Sequence, residues 1–224
     1  ILSLAPWAYW KMDEIVGSSI IDISGNGRNQ ALSTNLGSNP TDGAAAVCNS
    51  NSAINFPANS NIFSQLNSAS NTADALEDAQ QFLASWGLRS TQFQARVGIT
   101  IGQAFQDKKP TAHVQNTSTQ RSAISSTNYP SNTIMVTGRI FYGTGSNQLL
   151  VSVNGVQVGA SSATTSGVAN YPIGIGGICN NTGANANPTY GFRGRMSNVS
   201  WHQGYLSDAI LLEMYNLGKL PGGV

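Results

Sequence analysis

The chain has 224 residues, and its 11 Lys and Arg residues nearly balance its 10 Asp and Glu residues, which gives a net charge of +1. Only 9% of the residues are charged, against about 25% in ordinary soluble domains, and the chain is instead rich in Ser, Thr, Asn and Gln, with 24 Gly. Because it carries no basic stripe, we expect no nucleic acid as a partner. Because no apolar run reaches about 18 residues, we expect no membrane span.

Most of the chain alternates polar and apolar residues with a period of two, which is typical of β-strands. Eight such segments, separated by clusters of Gly, Asn, Pro and Ser, cover residues 31–36, 52–57, 95–105, 111–118, 132–143, 148–161, 171–178 and 192–204. The segment VSVNGVQV is the clearest, since Asn154 and Gly155 between alternating valines are typical of a two-residue hairpin turn. Eight or more short strands predict an all-β sandwich or jelly roll.

Two segments have helical spacing instead. Residues 72–87 are predicted to form an inserted helix, whose apolar stripe contains Leu76, Ala79, Leu83 and Trp86. Residues 207–217 are predicted to form a short C-terminal helix that Ser207 caps and Gly218 ends. The face of this second helix that we expect to be buried contains Ile210, Leu211, Met214 and Leu217. No internal repeat or linker divides residues 1–224, so we expect a single domain.

The two cysteines, Cys48 and Cys179, both lie in Asn-rich segments that we interpret as loops. A disulfide between them would close a long loop and would contribute about 4–5 kcal/mol to stability. Two free thiols are the alternative, and the redox compartment decides between the two states. The spacing of the cysteines does not match a zinc site.

Several motifs, in chain order, resemble those of the concanavalin A-like (laminin G-like) lectin/glucanase domains. The opening stretch YWKMDEIVGSSIIDISGNGRNQAL is similar to the aromatic strand, acidic pair and Asp-x-Ser-Gly-x-Gly turn of that family. SAINFP, LLVSVNGVQVG and YPIGIGG resemble its core strand, its Asn-Gly hairpin and the strand that follows, and YGFRGRMSNVSWHQGYLSDAILLEMYNLG resembles its closing strand and helix. The resemblance implies a jelly-roll sandwich of two antiparallel sheets. Residues 60–130 have no counterpart in it, so we expect them to elaborate the fold.

The acidic residues do not match a glycosidase. Glucanases of this family carry carboxylates two and four positions apart on one strand, where they act as nucleophile and acid. Here Asp13 and Glu14 are adjacent and point to opposite faces of a strand, and the acidic residues of segment 74–78 fall on the predicted helix. His113 and His202 have no nucleophile motif near them. We therefore predict that the chain is not an enzyme, and we expect no cofactor beyond a weak calcium ion.

The turn DISGNG is where such an ion would bind. Calcium favours several oxygen ligands, and the turn offers the Asp22 carboxylate and the Asn26 side chain. Some family members bind calcium here with help from acidic residues of the closing strand, where this chain has Ser197 and Asn198. Alternatively, Asp22 binds the backbone of its own turn, and Arg28 pairs with it in an exposed contact of little energetic value. Both interpretations stay open.

Binding of a neutral glycan requires an aromatic face and amide or hydroxyl groups. Three segments supply both, and their candidate ligand-binding residues are Asn180, Asn181, Asn185 and Tyr190, then Tyr142, then Trp201 and His202. Asn-rich loops are also ordinary turn chemistry. We expect Trp7, Trp10 and Phe56, which lie on alternating strands, to belong to the core.

Two functions are compatible with these observations. The first is a non-catalytic module that binds a glycan, a cell-surface polysaccharide or another surface outside the cell. The second is a structural virion surface domain, such as a bacteriophage decoration, head-fibre or tail-appendage protein, with or without receptor binding. The second function predicts protein neighbours in a larger assembly or a homotrimer, and the two place the chain in the extracellular space or on a virion surface.

Overall fold

The fold is known from a computed structural model, which describes residues 1–32, 40–44, 52–56, 62–63, 82–87, 98–103, 109–115, 120–126, 134–141, 148–162, 174–175, 194–202 and 205–218. Within these ranges the chain forms one 3-10 turn at Leu2–Leu4, a set of antiparallel β-strands and one α-helix near its end. The predicted all-β class is therefore confirmed. None of the described helices is long and apolar enough to cross a membrane.

The strands are numbered in chain order. They are β1 (Ala8–Trp10), β2 (Ser19–Ile20), β3 (Gln30–Ala31), β4 (Thr41–Ala44), β5 (Ala53–Phe56), β6 (Ile62–Phe63), β7 (Phe82–Gly87), β8 (Gly98–Gln103), β9 (Pro110–Gln115), β10 (Gln120–Ile124), β11 (Ile134–Phe141), β12 (Gln148–Val153), β13 (Val156–Ser162), β14 (Gly174–Ile175) and β15 (Gly194–His202). The helix α1 spans Asp208–Gly218.

The main sheet has the order β13-β12-β11-β7-β15-β5-β4, and β1 pairs with β15 on the same edge as β5. A second sheet, β10-β9-β8, lies against β11, β12 and β13. Two short pairs, β14 with β6 and β2 with β3, complete the described strands. The long strand β15 is central, because it pairs with β7 on one edge and with β5 and β1 on the other.

The predicted helix over residues 72–87 is wrong for its last six residues. Phe82–Gly87 forms strand β7, which pairs with β11 on one edge and with β15 on the other. Hydrogen bonding along both edges satisfies the backbone of this segment in the sheet, and its Phe and Trp residues suit a strand as well as a helix. Tertiary pairing thus outweighs local helical spacing here. Residues 72–81 lie outside the described residues.

Two apolar clusters make up a large part of the described core. The larger one lies around β1 and the central strand β15, and consists of Trp7, Ala8, Trp10, Met12, Ile20, Ile54, Met196, Val199 and Trp201. The expected core positions of Trp7 and Trp10 are confirmed, whereas the side chain of Phe56 lies outside the described part. The smaller cluster lies under α1 and consists of Ala53, Met135, Leu206, Leu211 and Met214.

The helix predicted over residues 207–217 is confirmed as α1. Its start matches the expected cap, since the Ile210 amide donates to Ser207 Oγ over 3.4 Å. Leu211 and Met214 are buried, and Ile210 packs against them. Leu217, by contrast, is 68% exposed, so the buried face ends one turn earlier than expected.

A buried arginine fastens the start of α1 to the main sheet. Arg139, on β11, is only 1% exposed, and its Nη1 donates to the Leu206 carbonyl over 3.0 Å and to Tyr205 Oη over 3.1 Å. Its Nη2 donates to Ser152 Oγ over 3.3 Å and forms an ion pair with Asp208. Four partners thus compensate the two Nη groups of a cation that would otherwise be costly to bury. Its Nε has no partner among the described residues.

The hairpin turn between β12 and β13 touches the middle of α1. Asn154 has φ +53° and Gly155 has φ +79°, which confirms the predicted two-residue turn. A Cβ atom on Gly155 would lie 2.5 Å from the Cα of Leu212 in α1. Glycine is therefore required here both for the backbone conformation and for the close approach of the helix.

Candidate functional site

The turn over residues 22–28 is organised around one buried carboxylate. Asp22 Oδ1 accepts hydrogen bonds from the amides of Tyr9 and Ser24, each over 2.9 Å. Asp22 Oδ2 accepts from Ser24 Oγ and from the amide of Arg28, again over 2.9 Å. A carboxylate has about four lone-pair sites, and these four donors match them. The Asp22 side chain thus holds the backbone of its own turn and ties it to β1.

Asn26 closes the same turn from the solvent side. Its Nδ2 donates to the carbonyls of Pro6 and Trp7 over 3.2 Å and 3.1 Å, and to Ser24 Oγ over 3.1 Å. The side chain therefore fixes the segment that leads into β1. The residue is exposed, and its Oδ1 accepts no hydrogen bond from the part of the chain that the structure describes.

Arg28 stacks on Trp7, an interaction that sequence reasoning missed. Its guanidinium carbon lies 3.9 Å from the centroid of the Trp7 ring, well within the range of a cation–π contact. The expected exposed pair with Asp22 is wrong in its details, since Asp22 binds the backbone amide of Arg28 and forms no ion pair with its side chain. The ion pairs among the described residues are Lys11–Asp13 and Arg139–Asp208. No sequence spacing signals such a stack, because Trp7 and Arg28 meet only through the pairing of β1 with the turn.

The backbone of Arg28 is fixed on both sides. Its amide donates to Asp22, and its carbonyl accepts from the indole Nε1 of Trp10 over 2.8 Å. Burial lowers the pKa of the Arg28 guanidinium, and the nearby Asp22 carboxylate acts in the opposite direction. A guanidinium keeps its charge at any pH that proteins tolerate, so the turn presents a permanent cation against an aromatic face.

Ser197 and Asn198, which stand where calcium-binding relatives have acidic residues, lie in a β-bulge of β15. Asn198 is buried with φ +52°, and its Oδ1 accepts from Tyr9 Oη over 2.7 Å. Ser197 Oγ donates to the carbonyl of Ser52 over 3.2 Å. These side chains hold β1 and the start of β5 against β15. Within the described ranges, no group of three or more His, Cys, Asp or Glu residues is close enough to hold a metal ion.

Two of the candidate glycan-binding residues are buried. Trp201 is 6% exposed and belongs to the larger core cluster, and His202 is 2% exposed. His202 Nε2 lies 3.1 Å from the hydroxyl of Ser200, which is also buried. Their aromatic rings are therefore inaccessible to a sugar, and both residues lie in β15, within the strand predicted over residues 192–204.

The other candidate residues, and both cysteines, lie outside the described residues; they are Asn180, Asn181, Asn185, Tyr190, Tyr142, Cys48 and Cys179. The strands next to two of these segments show at which end of the main sheet each segment joins it. β11 ends at Phe141 beside the start of β7, whereas β15 begins at Gly194 beside the end of β7. The chain that continues from β11 and the chain that leads into β15 therefore join the main sheet at opposite ends.

Burial makes His202 a basic group that resists protonation. Desolvation, together with the charge of the Ile1 amino group, lowers its pKa to about 4, while a hydrogen bond with the backbone of Leu4 acts the other way. The pKa of histidine in an unfolded chain is about 6.5. The neutral imidazole is thus the form that the fold accepts.

The resulting prediction is a loss of stability in mild acid. The contribution of His202 is complete above about pH 6.5, and it is lost as the pH falls from there towards the folded pKa of about 4. The total loss is about 3 kcal/mol, since each pKa unit corresponds to about 1.4 kcal/mol. Urea unfolding at pH 7, 6, 5 and 4 measures it. The variant His202→Gln should flatten this part of the profile, and an unchanged slope would assign the acid sensitivity to other groups.

Comparisons with known proteins were made for sequence and for structure. No protein-family model matches the chain, and a search of curated protein sequences found no match. Solved structures do match. Domain 4 of AbnA, an extracellular GH43 arabinanase from Geobacillus stearothermophilus solved with arabinotriose, is similar with a TM-score of 0.63 and 15% identity, over 93% of this chain and 97% of that one.

The structures of two toxin domains, a binding domain and a receptor-binding domain, are similar to this chain as well. The binding domain of Paraclostridial Mosquitocidal Protein 1 matches with a TM-score of 0.63 and 15% identity over 93% of this chain. The receptor binding domain of botulinum neurotoxin type G matches with a TM-score of 0.60 and 11% identity over 95% of this chain. The chain spans about half the length of these two domains, 51% in each case. At these identities the likeness shows a shared fold, a β-sandwich that carbohydrate-binding and receptor-binding domains use.

Proposed function

We propose that the chain is a non-catalytic, concanavalin A-like module that binds carbohydrate outside the cell. The observation that carries this proposal is the match to the arabinanase domain, which extends over nearly the whole of both chains and was solved with a bound oligosaccharide. A fold alone does not determine function, so the proposal also depends on the side chains described above.

The described side chains support binding rather than catalysis. Ser200 and His202 lie within hydrogen-bond distance, as a hydrolytic pair would, but both are buried in the main sheet, where no substrate reaches them. The turn over residues 22–28 carries exposed polar groups, and Asn26 presents an amide oxygen there beside the Arg28–Trp7 stack. Amide groups suit the hydroxyl groups of sugars.

A glycan-array screen of the purified chain tests the proposal. The array should include arabino-oligosaccharides, neutral hexose oligosaccharides and acidic glycans, and it should be run once with calcium and once with a chelator. We expect binding to a coherent set of related glycans, with the bound glycans recovered intact. Heat-unfolded chain serves as the control for non-specific adsorption.

The two arms of the screen also separate the alternatives. Glycan binding that disappears with the chelator would make Asp22 a calcium ligand. Glycan binding both with calcium and with the chelator would mean that Asp22 only stabilises its turn. Absence of binding to every glycan, with calcium and with the chelator, would contradict the glycan-binding function. The virion-surface alternative then predicts stable trimers or a larger assembly in analytical ultracentrifugation.

A further inference from the structure

We propose that Arg28, held against Trp7, recognises the carboxylate of a sugar, so that this module prefers acidic glycans over neutral ones. The inference rests on the proposed glycan-binding function and names the ligand class of the turn over residues 22–28. Its basis is a cation that the fold holds in place and that forms no ion pair with another described residue.

The first observation is that Arg28 is fixed before any ligand arrives. Asp22 and Trp10 hold its backbone amide and carbonyl, and the ring of Trp7 supports its guanidinium at 3.9 Å. Trp7 is itself immobilised in the larger core cluster. An arginine that is already ordered loses less conformational freedom when it binds, which favours recognition at this position.

The second observation is the unused hydrogen-bonding capacity of the guanidinium. Within the described part of the chain, its side chain donates to no acceptor and belongs to no ion pair, and its Nε is buried without a partner. The residue as a whole stays partly exposed. Stacking on an aromatic ring covers the face of a guanidinium and leaves its edge for a carboxylate, which the two Nη groups can bind in a bidentate manner.

The Asp22 carboxylate does not serve as the anion that the Arg28 guanidinium would bind. It accepts four hydrogen bonds, two of them on each oxygen, and three of the donors are backbone amides. Its charge is therefore compensated on the inner side of the turn. The guanidinium is left as the group through which the turn can bind an external anion.

The third observation is a pair of exposed amides on either side of Arg28 in the chain. Asn26 has an Oδ1 that accepts nothing, and Asn29 uses its Oδ1 to accept from the Asp22 amide over 2.9 Å, which leaves its Nδ2 as a donor. Both statements hold for the described residues. One acceptor and one donor in the same turn as a carboxylate-binding cation match in chemistry the hydroxyl groups that flank the carboxylate of a uronic or sialic acid.

Binding titrations with matched probes test the inference. The probes are 3′-sialyllactose with lactose, and a galacturonate trisaccharide with its neutral galactose counterpart. We expect the unmodified chain to bind the acidic member of at least one pair about tenfold to a hundredfold more tightly, which is the range for hydrogen bonds to a charged group. In Arg28→Gln this preference should disappear while binding of the neutral member persists.

Two further variants separate recognition from general charge. Lys11→Gln removes one positive charge from a partly exposed residue that already pairs with Asp13, so it should keep the preference. Arg28→Lys keeps the charge but loses the planar fork, so it should retain only part of it. Thermal unfolding of each variant checks that the fold persists.

Two results would overturn the inference and leave glycan binding intact. One is equal binding of acidic and neutral members by the unmodified chain, and the other is an acidic preference that survives in Arg28→Gln. Absence of binding to every probe and to the whole array would instead contradict the proposed function, and the inference with it.

Discussion

The variant Gly155→Ala is expected to lose about 2–5 kcal/mol of its free energy of unfolding. Gly155 has φ +79°, and a left-handed backbone costs a residue with a Cβ about 1–2 kcal/mol. The new Cβ would also lie 2.5 Å from the Cα and 2.8 Å from the amide nitrogen of Leu212. Helix α1 must shift to relieve this overlap, at a cost of about 1–3 kcal/mol. Urea unfolding followed by circular dichroism measures the loss.

Gly17→Ala is the matched control for this variant. Gly17 has φ +64°, but a Cβ on it would meet nothing within 4 Å. Its replacement should therefore cost only the backbone term, about 1–2 kcal/mol. The difference between the two variants isolates the contact between the hairpin and α1. Equal losses would mean that the helix is not seated against Gly155.

The variant Asp22→Ala is expected to lose about 3–5 kcal/mol. It leaves the amides of Tyr9, Ser24 and Arg28 without their acceptor, and an unsatisfied buried donor costs about 1–3 kcal/mol. The Tyr9 amide is buried, whereas the other two are partly buried and can recover some of the loss by binding water. Because the carboxylate is used by the turn itself, we expect the same loss in calcium and in chelator.

Asp42→Ala provides the comparison. Asp42 also accepts a hydrogen bond from a backbone amide, that of Ile15 over 3.0 Å, but at an exposed position, so its removal should cost no more than about 1 kcal/mol. A loss in Asp22→Ala that appears only in calcium would contradict the turn interpretation. It would then assign Asp22 to a metal site.

Sequence reasoning succeeded where a local pattern determines the structure. A period of mostly two residues predicted the long strands β11, β12 and β15, and the Asn154–Gly155 pair identified the hairpin, since its conformation depends on two residues alone. The cap at Ser207 placed α1 within one residue of its observed start. In each case the signal and the structure span the same few residues.

Sequence reasoning failed where contacts between residues far apart in the chain determine the structure. Segment 82–87 has helical spacing, but two neighbouring strands make it β7. Trp201 and His202 lie in a polar segment, yet they are buried because β15 runs through the middle of the main sheet. Arg139 is a buried cation that only its four partners from other elements make acceptable. The stack of Arg28 on Trp7 likewise depends on the pairing of the turn with β1, which no local pattern encodes.

The central position of β15 has a consequence for biosynthesis. Tyr9 on β1 and its partner Asn198 on β15 are 189 positions apart. A ribosome adds about 5–20 residues per second, so β15 is synthesised roughly 10–40 s after β1, the strand with which it pairs. During that interval β1, β5 and β7 expose edges that β15 will later occupy, and such edges invite association with other chains. The main sheet is therefore completed late, because β1, β5 and β7 gain their shared partner only when β15 has been synthesised.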